Sequence, residues 1–315
     1  MNHILIADEM HPSIIEMLHE IGYVPDYQPF INRTQILDII NNYEGLIIRS
    51  KTKIDKEFLN HAQRLKFIGR AGAGLDLIDL KEAEERQISI FAANEGNRIA
   101  VAEHVMGMIL SLLNRLHTAD REVRNRIWHR EENRGFELFG KTVGIIGFGN
   151  NGKETAKRFA AFRCRVLVYD KYLSNIQENA VQEASIHEIF NEADILSLHI
   201  PLTDETLQMV DNRFIAQFRK KIYLINAARG EIVVLSDLVK NLKSDKILGA
   251  CLDVLENEKL TQLTAQQQQD FDYLCQSDKV ILTPHIAGWT HESYLKINEV
   301  LVAKIQKLTT DKVMK

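Results

Sequence analysis

The chain has 315 residues, 45% hydrophobic and 26% charged, with a formal charge of −4. At ~150 residues per domain, that is the make-up of a globular protein of about two domains. There is no basic excess for nucleic acid and no polybasic tract for an anionic membrane, so neither partner is expected. Apolar runs such as Val105–Leu113 fall far below the ~20 residues that span a bilayer. The first eight residues lack a signal peptide's basic start and long apolar middle. Cys164, Cys251 and Cys275 form no C-x-x-C pair, so the expectation is a cytoplasmic protein with reduced thiols.

Before residue 98, short apolar runs alternate with segments of helical periodicity. Strands are expected at Ile4–Ala7, Leu46–Ile48, Leu65–Ile68 and Ile88–Phe91, and helices at Ser13–Ile21 and Thr34–Ile40. Such alternation implies a parallel sheet with helices on its faces. From Arg98 to about Asn125 the chain reads as one long helical region interrupted only by Gly107. Glu103 and His104 are adjacent metal-capable side chains there, but no third ligand is spaced to join them. No metal is expected, and both are assigned to the helix surface.

Residues 142–170 carry the strongest signal. Thr142–Ile146 reads as a buried strand, Gly147-Phe148-Gly149-Asn150-Asn151-Gly152 follows at once, and a helical run leads to the strand and acid of Arg165–Asp170. In such a G-x-G-x-x-G turn Gly147 permits the tight bend and Gly149 lets the backbone approach a pyrophosphate. Gly152 lets the helix pack closely on the strand, and the helix N-terminus offers free N–H groups. Asp170 lies where a carboxylate binds both adenosine-ribose hydroxyls and repels a 2′-phosphate, which favours NAD over NADP. Further strands are expected at Asp194–Leu198, Ile222–Ile225, Ile247–Leu252 and Val280–Leu282. Gln262–Gln269 reads as a surface loop or helix end, and residues 291–308 as an amphipathic helix. With the fingerprint in mid-chain, a cofactor domain (98–285) is expected to interrupt a substrate domain formed by 1–97 and 286–315. The fold expected is α/β, with two doubly wound parallel sheets, a Rossmann domain inserted into a flavodoxin-like one.

Polar residues stand where these strands end. Arg229 follows Ile222–Ile225 through Asn226-Ala227-Ala228, and its guanidinium fork suits bidentate binding of a carboxylate. His285, in Thr283-Pro284-His285-Ile286-Ala287-Gly288, has an ordinary pKa near ~6.5 that lets it accept or return a proton at neutral pH. Ala71-Gly72-Ala73-Gly74 follows Leu65–Ile68, and its small residues let consecutive N–H groups turn inward as an anion nest.

The chain resembles the D-isomer-specific 2-hydroxyacid dehydrogenases over nearly its whole length. Gly45–Thr52, Gly69–Asp79, Asn94–His104, Gly140–Gly152, Leu198–Thr206, Asn226–Gly230, Gly249–Glu258 and Thr283–Gly288 match in order. Residues 47–52 and 69–76 are most similar to the 3-phosphoglycerate dehydrogenase branch. The resemblance implies an active site in the cleft between two domains, with His285 as acid/base. It implies that Glu258, five residues past Asp253, fixes the imidazole tautomer and stabilises the imidazolium. The family usually has proline next, where this chain has Lys259, so Glu256 stays an alternative.

By the same resemblance, Arg229 anchors the substrate carboxylate opposite the backbone of Ala71, Gly72 and Ala73. Asp253 fixes the nicotinamide carboxamide, and Ala73, Ala227, Ala228, Ala287 and Gly288 line the cofactor site. His199, Ile200, Pro201 and Thr206 border the adenine side. Arg49 and Arg70 fall on phosphate-binding positions, though each also fits a plain surface arginine. Arg130 matches an arginine lent by a partner subunit. Residues of about 98–130 resemble a dimerisation arm, whose apolar positions (Val105, Met106, Ile109, Leu112, Leu113, Leu116) exceed one helix face. A homodimer or dimer of dimers is expected.

The function implied is NAD-dependent oxidation of 3-phospho-D-glycerate to 3-phosphooxypyruvate in serine biosynthesis. Reduction of glyoxylate, hydroxypyruvate or another D-2-hydroxyacid partner is the alternative. An NAD-sensing, corepressor-like protein is a second alternative. Formate dehydrogenases pair the histidine with glutamine, against which Glu258 speaks. The chain stops at Lys315, so no serine-binding regulatory domain is expected.

Overall fold

Five short strands rich in β-branched and aliphatic residues build the first sheet: β1 (His3–Ile6), β2 (Val24–Tyr27), β3 (Gly45–Ile48), β4 (Phe67–Arg70) and β5 (Ser89–Ala92). This computed structural model describes residues 2–313. The strands pair in parallel in the order β2-β1-β3-β4-β5, the flavodoxin-like order. β3 is buried along its whole length, and so its sequence is an unbroken apolar run. The helix His291–Val313 returns to this sheet, with Ile297, Leu301 and Ile305 in one buried cluster with Ile4, Ile6, Ile47 and Phe67.

The second sheet consists of β6 (Thr142–Ile146), β7 (Arg165–Tyr169), β8 (Gln182–Glu183), β9 (Ile195–Leu198), β10 (Ile222–Asn226), β11 (Ile247–Leu252) and β12 (Val280–Leu282). All pair in parallel, in the order β12-β11-β10-β9-β6-β7-β8. This is the Rossmann arrangement, whose strand order reverses between β6 and β9. Ligands of such sheets bind beyond the carboxyl ends of the strands at that reversal.

The chain divides into two compact units, one made of Met1–Arg98 with Trp289–Lys315 and the other of Ile99–Gly288. The second junction falls three residues later than the sequence suggests. The reason is local: the N–H groups of Ile286 and Ala287 bond to the Asp253 carboxylate, which keeps them with the second unit.

The long helical region breaks in two, Arg98–Leu113 and Leu116–Arg124, with a bend of 64°. Arg115 makes the break by adopting a left-handed φ of +54°. No single helix among the described residues is long and apolar enough to cross a membrane. The glutamine-rich stretch begins a helix, Ala265–Gln276, closed by a reciprocal cap between Thr264 and Gln267.

Candidate active site

β6 runs directly into the glycine turn. Gly147 has φ +94°, and a Cβ there would stand 2.5 Å from the carbonyl oxygen of His199. At Gly152 a Cβ would stand 2.0 Å from the carbonyl oxygen of Gly147, so close packing excludes any side chain. Gly149 is different: nothing lies within 4 Å of its absent Cβ, and the backbone faces open space. Asn150, Asn151 and Gly152 then open the helix Asn150–Ala161, whose first N–H groups lack intrahelical acceptors. Asp170 follows β7 and is fastened to the turn. Its Oδ2 accepts the Phe148 N–H at 2.7 Å, and Oδ1 accepts those of Tyr172 and Leu173 at 2.9 and 3.2 Å.

His199 bonds Ser197 Oγ at 2.9 Å, and burial pushes its pKa down to about 4, so the ring is neutral at physiological pH. Thr206 Oγ1 donates to the Pro201 carbonyl at 2.7 Å and accepts the Thr203 N–H at 2.8 Å, folding the segment after Ile200 into a turn. A tight turn, an exposed glycine at a helix N-terminus and a carboxylate at the next strand end are what a dinucleotide requires.

Three loops at the same sheet edge carry polar chemistry. Beyond β12, His285 has a left-handed φ of +56°, and its N–H donates to the Asp253 carbonyl at 2.7 Å. Its Nδ1 lies 3.0 and 3.1 Å from the two carboxylate oxygens of Glu258. That bond raises the His285 pKa above its ordinary value although partial desolvation lowers it, and the same bond lowers that of Glu258. The charge of Arg229 opposes the rise at His285 and adds to the fall at Glu258. With Nδ1 engaged, Nε2 is the ring nitrogen left to meet a substrate. Glu256 does other work: its Oε2 accepts the Leu235 N–H at 3.0 Å, where the helix Leu235–Lys243 starts.

Beyond β10, the buried Asn226 shapes the turn that presents Arg229. Its Oδ1 accepts the Ala228 N–H at 3.1 Å, and its Nδ2 donates to the Arg229 carbonyl at 2.8 Å, which leaves Ala227 at the apex. A Cβ on Gly230 would stand 1.9 Å from the Leu255 carbonyl oxygen, so the loops after β10 and β11 lie in backbone contact.

Beyond β11, Asp253 is 2% exposed. Its Oδ1 accepts from Thr283 Oγ1 at 2.6 Å and Ile286 N at 2.9 Å, and its Oδ2 from Ala287 N at 2.8 Å. Both oxygens thus hold the segment from Thr283 towards Gly288. His104 is not a plain surface residue: its Nε2 lies 3.0 Å from Thr283 Oγ1 and 3.6 Å from Asp253 Oδ1. The two partners are 179 residues apart, and no spacing in the sequence signals the contact.

In the first unit, Arg49 leaves β3 with its guanidinium 4.0 Å from the Trp289 ring centroid and 5.8 Å from that of Tyr294. Its Nη1 donates to the Glu9 carbonyl at 3.3 Å. Arg70 ends β4, and its Nη1 donates to the Ala71 carbonyl at 2.6 Å. The expected nest is smaller than its composition suggests. Ala71 N–H goes to the Ile48 carbonyl at 2.8 Å and Gly72 N–H to the Arg70 carbonyl at 2.9 Å, which leaves Ala73 and Gly74 as the donors of this loop. Arg130, in the second unit, lies in an exposed stretch beside Trp128, which is 81% exposed.

A Rossmann sheet with this turn at its reversal point, and an imidazole–carboxylate pair beside an arginine at the same edge, defines a dinucleotide-binding α/β protein equipped for proton transfer. The family profile described as D-isomer specific 2-hydroxyacid dehydrogenase, NAD binding domain, matches residues 106–287, and the chain belongs to that family. A D-3-phosphoglycerate dehydrogenase of Archaeoglobus fulgidus is 32% identical over 96% of this chain and 56% of its own length. The chain thus spans about half the length of such relatives. A hydroxypyruvate reductase of Thermotoga maritima is 33% identical over 88% of each chain. The crystal structure of a D-lactate dehydrogenase from Aquifex aeolicus, complexed with NAD and lactic acid, superposes with a TM-score of 0.84 at 27% identity, covering 99% of this chain and 97% of that one.

Proposed function

We propose that the protein is an NAD-dependent D-2-hydroxyacid dehydrogenase that oxidises 3-phospho-D-glycerate to 3-phosphooxypyruvate in serine biosynthesis. The observation that carries this is the His285–Glu258 pair under the charge of Arg229. NAD, held on the 147–152 turn with Asp170 at the ribose, supplies the hydride acceptor when bound. His285 Nε2 takes the proton of the C2 hydroxyl as the C–O bond becomes a carbonyl, and Glu258 stabilises the imidazolium that results. Arg229 holds the substrate carboxylate by a two-pronged charge-assisted contact, with help from the N–H groups of Ala73 and Gly74. Arg49, Arg70 and a partner subunit's copy of Arg130 serve the phosphate. Of the apolar positions expected to mark the arm, Val105, Met106, Ile109, Leu112 and Leu113 are buried in this unit's own core, and only Leu116 is exposed. Leu116, Val123, Ile127 and Trp128, at 40–81% exposure, support a homodimer built on the arm of about 98–130. A cytoplasmic location is part of the same reading.

Comparison of kcat/KM for 3-phosphoglycerate, glycerate and hydroxypyruvate, with NAD or NADH, tests the substrate. A phosphate contribution above tenfold (~1.4 kcal/mol) is expected. The second reading is a hydroxypyruvate or glyoxylate reductase. It is favoured by the Thermotoga relative, matched over most of both lengths, and by the Arg70 Nη1 that already serves the Ala71 carbonyl. A phosphate contribution below tenfold selects it. Cofactor binding without turnover on any acid of the panel would mark an NAD-sensing protein instead.

A further inference from the structure

We propose that His104 is a positioning residue for the acid/base loop, acting through the Thr283 hydroxyl on the buried carboxylate of Asp253. The proposal rests on reading His285 as the proton-transfer group, but its geometry is independent of which acid is the substrate.

One proton is shared among three neighbours. Thr283 Oγ1 stands 2.6 Å from Asp253 Oδ1, 3.0 Å from His104 Nε2 and 3.8 Å from the sulfur of Met108. A hydroxyl has a single proton to give and lone pairs to receive with. A carboxylate at 2.6 Å is far the stronger acceptor than a thioether at 3.8 Å, so the proton goes to Asp253. The contact with His104 must therefore run the other way, with Nε2–H donating to Thr283 Oγ1. In that arrangement each bond polarises the next towards the carboxylate. His104 thus fixes and strengthens the bond that the threonine makes to Asp253.

What depends on that proton is the loop. Asp253 is 2% exposed, and a carboxylate so placed is tolerable only while its oxygens are met by donors. The donors are Thr283 Oγ1 and the N–H groups of Ile286 and Ala287, which flank His285 on its C-terminal side. The N–H of His285 itself goes to the Asp253 carbonyl at 2.7 Å. Without a donor on Thr283, the hydroxyl still prefers Asp253, but nothing fixes its rotation or polarises that bond. The shortest of the carboxylate's bonds weakens, and with it the anchor of the left-handed backbone that aims His285 at Glu258. His104 sits on the helix Arg98–Leu113, so the relay fastens the acid/base loop to an element outside the strand ends.

Three variants test this: His104→Phe keeps the shape without a donor, His104→Gln keeps a donor near Nε2, and Thr283→Val removes the bridging hydroxyl at constant volume. Two readouts are taken, the titration of the His285 imidazole by NMR without substrate, and kcat, KM and NADH affinity. In His104→Phe and Thr283→Val the His285 titration moves back towards the ordinary histidine value. In both, kcat falls about ten- to a hundredfold, as expected for a misplaced reacting group. NADH affinity falls by less than kcat does, because the glycine turn at 147–152 is untouched. His104→Gln recovers most of the loss, and the double variant is no worse than Thr283→Val alone. An unchanged titration and kcat in a folded His104→Phe overturns the proposal, as does a loss that adds to that of Thr283→Val. Should His104→Phe fail to fold, Thr283→Val decides alone, and wild-type behaviour there overturns it. Failure of the functional reading looks different: the wild type itself would not turn over, while the titration would still shift between variants.

Discussion

Two glutamates two residues apart in the loop after β11 have separate tasks, and a pair of substitutions divides them. Glu256→Ala removes the acceptor that sits 3.0 Å from Leu235 N–H at the start of the helix Leu235–Lys243. Loss of an acidic cap at a helix N-terminus costs about 1 kcal/mol. For a unit of this size that lowers Tm by ~2–4 °C, and the pH dependence of turnover stays where it was. Glu258→Gln is an exposed change worth at most about 0.5 kcal/mol of stability, yet it removes the first cause of the raised His285 pKa.

The signs follow. Oxidation needs neutral His285, so kcat/KM rises with pH through the raised pKa, whereas reduction needs the imidazolium and falls through it. Glu258→Gln moves both limbs to lower pH. The stability due to the raised His285 pKa is fully present below the ordinary histidine value and is lost as pH rises through the folded one. That due to the lowered Glu258 pKa is present above the ordinary carboxylate value and is lost as pH falls through the folded one. Thermal melts and pH–rate profiles in both directions are the assays. A limb that moves with Glu256→Ala and stays put with Glu258→Gln refutes the assignment.

His285→Ala cuts kcat by ~10²–10⁴ and leaves NADH affinity nearly intact; undiminished turnover removes it from the chemistry. Asp170→Ala lowers the preference for NAD over NADP and weakens both, because the carboxylate also secures three backbone N–H groups around the turn; an unaltered ratio in fluorescence titrations puts the ribose contact elsewhere. Arg49→Ala lowers kcat/KM for phosphorylated acids more than for unphosphorylated ones, by an extra factor of at least ten if it holds the phosphate (~1.4 kcal/mol); equal losses show that its stack on Trp289 is structural only.

Local signals were legible and long-range ones were not. Gly147 and Gly152 each meet backbone at the adjoining strand end or within the turn itself, while Gly149 stays open, and that spacing marks the turn. The apolar runs of β3, β6 and β9 are buried throughout, and they read as strands for that reason. β2 holds Pro25 and Asp26 at a sheet edge, and β8 is two exposed residues, so neither carries an apolar pattern. The break at Arg115 has no glycine to mark it. Glu256 and Glu258 are alike as residues. What distinguishes them is which N–H or imidazole the fold brings near, 21 residues away for one and 27 for the other. At 71–74 the composition permits a nest, but β3 lends the Ile48 carbonyl to Ala71 and thereby takes a donor from it.

The position of His285 explains why so much of the scaffold converges on Asp253. A left-handed backbone costs a non-glycine residue about 1–2 kcal/mol, and such a residue persists only where its surroundings over-determine it. Here one aspartate supplies its backbone carbonyl to the His285 N–H and both carboxylate oxygens to the residues around it. Gly230, in contact with Leu255, ties the loop that bears Arg229 to the loop that bears Glu258. The imidazole, the carboxylate and the guanidinium are therefore placed by buried backbone and a buried acid, while His285 and Glu258 themselves stay exposed. A half-exposed histidine can keep a fixed aim in this way without being enclosed, as the proposed proton transfer requires.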